Sequence, residues 1–100
     1  MIHTLALKGG TPNGGPRISV TLKLFALLSG YLPEGAARNE IRLAVPEGTT
    51  PGAVIAALDL PPALCALVLV DGVFIPLEER DVRPLVEGEA LSIWPPIAGG

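Results

Sequence analysis

The residues best suited to chemistry are the last six, Pro95-Pro96-Ile97-Ala98-Gly99-Gly100. They follow residues 90–94, whose alternation reads as a strand. Two consecutive prolines donate nothing to a sheet ladder, so they end the pairing and stiffen the exit. The closing glycines carry no Cβ. Six extended residues reach up to about 20 Å. A terminal carboxylate on such a stalk can enter a narrow active site on another protein while the folded body stays outside. A bare Gly-Gly end is otherwise an ordinary frayed terminus; the stalk and the strand before it make the pattern specific.

Other reactive side chains are sparse. Cys65, the single cysteine, lies in an apolar stretch and reads as a small core residue, with an acceptor role in a thioester to a partner as the alternative. It cannot form an internal disulfide, which is compatible with a reducing cytoplasm. One His and one Cys far apart make no zinc constellation, and His3 reads as incidental. Glu78-Glu79 reads as solvated loop charge, and Arg17, Arg38 and Arg42 as solvation of a sheet. No Gly-Lys-Ser/Thr follows the glycines of residues 9–16, so there is no phosphate loop to hold ATP. No nucleophile–base pair is visible either. Trp94 shares a face with Ser92, opposite Leu91 and Ile93, at the root of the stalk. It is a candidate docking anchor, the alternative being a tryptophan at the edge of the core. Phe25 points away from the core by the same parity.

The elements that must position these residues are legible from periodicity. Residues 9–16, Gly-Gly-Thr-Pro-Asn-Gly-Gly-Pro, contain nothing that packs and read as a flexible lead-in. Residues 1–8 read as an extra edge strand or as disorder, and the glycine-rich linker favours disorder, so the N-terminal extension, residues 1–16, is expected to be flexible, with the ordered domain spanning 17–94 and the tail 95–100. Ile18, Val20, Leu22 and Leu24 alternate with polar residues, as do Ile41, Leu43 and Val45, giving two amphipathic strands. Residues 26–31 form a short helical turn. Thr49-Thr50-Pro51 starts a helix, expected over 51–59 with Val54, Ile55 and Leu58 inward, and Pro61-Pro62 forbids its continuation. Residues 66–70 and 73–75 form a hairpin about Asp71-Gly72. A charged connection anchored by Leu85 leads to the last strand, with Leu91 and Ile93 inward. The order strand, strand, helix, strand, strand, strand predicts an α+β ubiquitin-like β-grasp: a mixed sheet of about five strands, one main helix, and the first and last strands adjacent at the centre.

At 100 residues and 49% hydrophobic, the chain supports one domain with one modest core. Ten acidic against seven basic residues give a net charge of −3, which disfavours a general nucleic-acid grip. The charge is uneven: residues 71–100 carry six acidic side chains against Arg80 and Arg83. That reads as a solvated face or as a surface steering toward a basic partner. No apolar run approaches the ~18 residues of a membrane span, and residues 1–7 are too short for a secretory leader.

Several segments together resemble the MoaD/ThiS sulfur-carrier family, which contains the small subunit of molybdopterin synthase and the thiamine-pathway sulfur carrier. They are the opening strand through Leu24-Phe25, Val45-Pro46-Glu47-Gly48-Thr49, the apolar helix before Leu60-Pro61-Pro62, Leu69-Val70-Asp71-Gly72, Leu85-Val86-Glu87-Gly88-Glu89, and the stretch from Trp94 to Gly100. The resemblance covers residues 17–100, and the Pro-Pro-Ile-Ala-Gly-Gly ending leans toward the molybdopterin branch. Asp71-Gly72 and Glu87-Gly88-Glu89 stand where that family often has Asn-Gly and Asp-Gly-Asp, and the front extension lies outside its pattern.

The resemblance implies a protein co-substrate, not an enzyme, with no bound cofactor. The Gly100 carboxylate would be adenylated by a ubiquitin-activating-type adenylyltransferase that supplies ATP. A sulfurtransferase persulfide would then convert it to a thiocarboxylate for molybdopterin or tungstopterin synthesis, delivered to the molybdopterin synthase large subunit. Gly99 would give clearance, while Pro95, Pro96, Ile97 and Ala98 present the tail. Thiamine thiazole synthesis and attachment to proteins as a ubiquitin-like modifier are the alternatives.

Overall fold

The protein is represented by a computed structural model that describes residues 2–7 and 16–96. Three of the strands named here follow directly from alternation: β2 (Arg17–Leu24), β3 (Glu40–Pro46) and β6 (Ala90–Trp94). With β1 (Ile2–Thr4), β4 (Leu67–Val70) and β5 (Val73–Phe74) they form one mixed sheet in the order β1-β3-β2-β6-β4-β5. The first and last strands of the expected domain, β2 and β6, are parallel neighbours in its middle, with Leu22 opposite Leu91 and Leu24 opposite Ile93. Val20, Leu22 and Leu24 of β2 and Leu91 and Ile93 of β6, together with Leu43, Val45 and Val68, are buried, while Ile18 is partly buried beside them.

One helix, α1 (Pro51–Ala57), contributes buried Val54 and Ile55 to the same core. Thr50 caps it by accepting the Ala53 N–H at 3.2 Å, and Pro51 occupies its first turn. It stops two residues short of the expected end. Asp59 adopts φ +57°, Asp59 N–H donates to Ala56 O and Leu60 N–H to Ile55 O, both at 3.1 Å. This is a left-handed closing turn with its reaching-back bonds, and Pro61 lies just beyond it. Leu60 thereby returns to the core.

One expectation needs correction at the front of the chain. Residues 2–7 are not a detached, flexible extension: the edge-strand reading of this segment is the one the structure shows, and it adds a sixth strand to the five of the expected domain. Ile2–Thr4 pairs in parallel with Arg42, Leu43 and Ala44 of β3, Leu5 N–H donates to Ala44 O at 3.0 Å, and the Leu5 side chain is buried. The physical reason is that β3 would otherwise present an open edge, and an apolar alternating segment tethered close by finds it. Most of the glycine-rich lead-in lies outside the described residues.

Candidate functional site

The candidate site is built where β2 and β6 end together. In a parallel pair, residues in register share a face at the strand spacing of about 4.8 Å. Leu24 opposite Ile93 therefore places the next residues, Phe25 and Trp94, side by side on the outer face. Their rings stack with centroids 3.6 Å apart and planes 3° from parallel, and Phe25 N–H donates to Ile93 O at 3.2 Å. Ala26 then turns the chain through φ +53°, a left-handed value that is costly for a residue with a Cβ. The following turn, Ala26–Tyr31, drives Leu28 into the core.

Across β6 the antiparallel β4 sets Leu67 opposite Trp94 and Leu69 opposite Ser92, and β5 sets Phe74 opposite Leu69. Trp94 and Leu67 are each 39% exposed and Phe74 is 52% exposed. Stacked rings and apolar side chains thus run across one half of the outer face. The other half carries Thr21 and Lys23 on β2 and Arg42 on β3. The aromatic stack makes Trp94 a surface feature shared by the ends of β2 and β6.

Arg80 braces this region from beneath. Its guanidinium is buried and donates through Nη1 to Cys65 O at 2.8 Å and through Nη2 to Ala66 O at 3.4 Å. Ala66 N–H in turn donates to Trp94 O at 3.0 Å. Trp94 is thus the last residue held by the ladder, and Pro95 and Pro96, which have no N–H, lead the chain away. Pro95 is half-buried and Pro96 exposed. Ile97, Ala98, Gly99 and Gly100, the remainder of the expected reactive tail, lie outside the described residues.

Cys65 is buried, and its thiol donates to Pro61 O at 3.6 Å. Burial pushes the thiol's pKa up, and the charge of Arg80 opposes this only in part. It is therefore held as a packed thiol, unlike an activated thiolate. Glu78 and Glu79 are exposed on the turn Leu77–Glu79. The titrating pair with a distinct geometry is Arg83 and Glu89, joined at 2.8 Å in the turn before β6. Among the described residues no group of three or more His, Cys, Asp and Glu side chains is arranged to hold a metal ion, and no helix is long and apolar enough to cross a membrane.

Sequence reasoning missed Leu67, Phe74 and Arg80. The first two sit in apolar runs where periodicity does not separate inner from outer residues. Arg80 sits among charged neighbours, and only the fold turns it inward.

No family model matches the sequence, and no curated protein does. Solved structures do match. The Haloferax volcanii HVO 2177 protein aligns with a TM-score of 0.69 at 21% identity, over 95% of this chain and 98% of its own. SAMP1 from Haloferax volcanii aligns with a TM-score of 0.57 at 25% identity, over 82% and 99%. The small archaeal modifier protein 1 (SAMP1) from Methanosarcina acetivorans aligns with a TM-score of 0.56 at 25% identity, over 86% and 100%. With its helix against a mixed sheet whose central strands are parallel, the chain has the ubiquitin-like β-grasp fold and is similar in structure to small archaeal modifier proteins.

Proposed function

We propose that the chain is a ubiquitin-like sulfur carrier, a co-substrate whose Gly100 carboxylate is the reacting group. The observation that carries this reading is the exit of β6. Its ladder ends at Trp94 beside an exposed aromatic platform, and the chain leaves through Pro95-Pro96 toward the sequence Ile97-Ala98-Gly99-Gly100. A carboxylate is a poor electrophile because oxide is a poor leaving group. A ubiquitin-activating-type adenylyltransferase supplies ATP and joins the carboxylate to AMP, releasing pyrophosphate. The terminal sulfur of a sulfurtransferase persulfide attacks the acyl carbon, and AMP departs with the electron pair. Thiol cleavage of the resulting acyl disulfide leaves the thiocarboxylate, while the attacking thiol ends as a disulfide. The platform of Phe25, Trp94 and Leu67 docks against the activating enzyme. The Pro-Pro-Ile-Ala-Gly-Gly ending favours delivery into molybdopterin or tungstopterin synthesis, with thiazole synthesis the other pathway.

The second reading is a protein modifier, in which activated Gly100 is joined to lysines of other proteins. It is favoured by the likeness to two small archaeal modifier proteins, each at 25% identity. Intact-mass analysis of the full chain isolated from its own cells, or incubated with its adenylyltransferase, ATP and a persulfide donor, separates the two. One sulfur replacing one oxygen at the terminus supports the carrier. Lysine-linked adducts alone support the modifier, and a terminus unchanged under all conditions removes both.

A further inference from the structure

The geometry points to a second interaction site, on the helix side of the sheet: the pocket between α1 and the turn Leu77–Glu79 is a docking site for a basic, amphipathic helix of a partner protein. That helix places one leucine- to phenylalanine-sized side chain in the pocket, with lysine or arginine a turn to either side facing Glu78 and Asp81. The site does not depend on the chemistry proposed for Gly100.

Several observations lead there. Ile55, Leu60, Pro62 and Leu77 line an apolar pocket of about 240 Å³, with Arg80 and Asp81 completing its wall. That is below the ~300–1,000 Å³ of pockets that hold drug-sized ligands, and it suits a single large apolar side chain. Leu77 is 72% exposed beside it, and Val82, at the end of the same turn, is 73% exposed. Apolar side chains left in water around a pocket mark an interaction surface. None of the lining residues belongs to a strand, so the pocket offers an extended guest no ladder to join. A helix laid into a groove is the mode of recognition that fits.

The charge around the pocket sets the sign of the partner. Residues 77–81 carry Glu78, Glu79, Asp81 and one cation, Arg80. Arg80 is turned inward and donates to the Cys65 and Ala66 carbonyls, so it leaves the surface uncompensated. Its Nε has no acceptor among the described residues, so this wall is not a fully satisfied interior. The three acidic residues are exposed. Asp81 is held at the pocket: its carboxylate lies so close against Gly52 that a Cβ there would overlap it, and the Gly52 N–H donates to Arg80 O at 2.8 Å. A negative rim around an apolar pocket complements a segment whose apolar side chain is flanked by cations. Phe25 and Trp94 lie on the opposite face of the sheet, so partners at the pocket and at that platform do not compete. The two sites are joined through Ala66, whose carbonyl accepts from Arg80 and whose N–H donates to Trp94 O. A helix in the pocket therefore sits close to the root of the tail.

The test titrates the isotopically labelled full chain with a capped, alanine-based helical peptide of about sixteen residues. The peptide carries a central leucine with lysines three and four residues to either side. Control peptides carry alanine for the leucine, or glutamate for each lysine. Backbone amide resonances of the protein are followed. The expected result is a set of shifts centred on residues 52–65 and 77–82, with binding that weakens as salt is raised. Either control peptide should bind about tenfold more weakly or worse. Leu77→Ser and Asp81→Lys change exposed side chains and should each weaken binding by about tenfold. Glu78→Lys is a second charge variant in case Asp81→Lys perturbs the turn. No shifts at millimolar peptide overturn the proposal. So do shifts centred on Phe25 and Trp94, equal binding of the glutamate control, or binding unchanged in all three variants. Shifts driven by protein concentration alone would assign the pocket to a second copy of this chain and overturn it equally. None of these readouts involves Gly100, so failure here leaves the sulfur-carrier reading standing, and the reverse.

Discussion

Asp71 and Ala90 hold each other twice. The Asp71 backbone N–H donates to the Ala90 carbonyl at 2.9 Å, and the Ala90 N–H donates to the Asp71 carboxylate at 2.8 Å. The hairpin turn of β4 and β5 is thereby fastened to the start of β6. Asp71 sits at φ +49° and Gly72 at φ +81°, as a two-residue hairpin turn requires. Asp71→Asn keeps both the acceptor and a side chain tolerated at positive φ, so its stability should lie within about 0.5 kcal/mol of the parent. Asp71→Ala loses both and should cost about 2 kcal/mol in chemical denaturation.

Trp94 and Phe25 lie on the surface, so the proposed docking role can be read apart from folding. Trp94→Ala removes a stacked ring that is already partly in water, so the stability cost should be about 1–2 kcal/mol. If Trp94 anchors the activating enzyme, the same change should lower kcat/KM for ATP-dependent activation by about tenfold or more. Phe25→Ala should produce a smaller loss in the same direction, and Glu78→Gln none. Pyrophosphate release with saturating ATP reads this out. Activation unchanged in Trp94→Ala would remove the docking role.

Glu89 gives the domain an acid-side limit. Its carboxylate takes hydrogen bonds from Arg83 (2.8 Å to Oε2) and from the Val86 N–H (2.7 Å to Oε1). The Arg83 bond does most to hold its pKa below the ordinary 4.5, against the effect of burial. A carboxylate with a depressed folded-state pKa stabilises the fold above its unfolded value and loses that contribution as pH falls through the folded value. Stability should therefore decline below about pH 4.5, and Glu89→Gln should flatten this part of the profile while lowering neutral-pH stability by about 1 kcal/mol. Urea midpoints at several pH values measure both effects.

Cys65 sets the opposite, alkaline trend. Burial raises its pKa above the ordinary 9.0. An unfolded chain ionises the thiol first, so stability should fall as pH rises past that value, and Cys65→Ala should remove that component. Alkylation of the native chain near pH 8 should be roughly a hundredfold or more slower than of the denatured chain. Comparable rates would show an accessible thiol and reopen the thioester reading.

Alternation made most of the sheet readable in advance. β2, β3 and β6 each bury one face, and their inner rows are the very residues whose period is two. The turn at Asp71-Gly72 was readable because so few residue pairs suit two positive φ values. β1 was legible only as an alternative to disorder, because its pairing depends on an edge that exists only once β3 is in place, and a three-residue segment carries too little pattern of its own. The platform was half legible. Parity put Phe25 and Trp94 outward, but their contact follows from the register of β2 against β6, which no local signal encodes. Arg80 was hidden for the same reason: its partners are the Cys65 and Ala66 carbonyls, supplied by a distant part of the chain.

The position of β6 has a mechanical meaning. It is bonded on one side to β2 and on the other to β4, so a pull on the C-terminus loads two ladders in shear at once. A machine that threads proteins by that end has to break both ladders before the strand comes free.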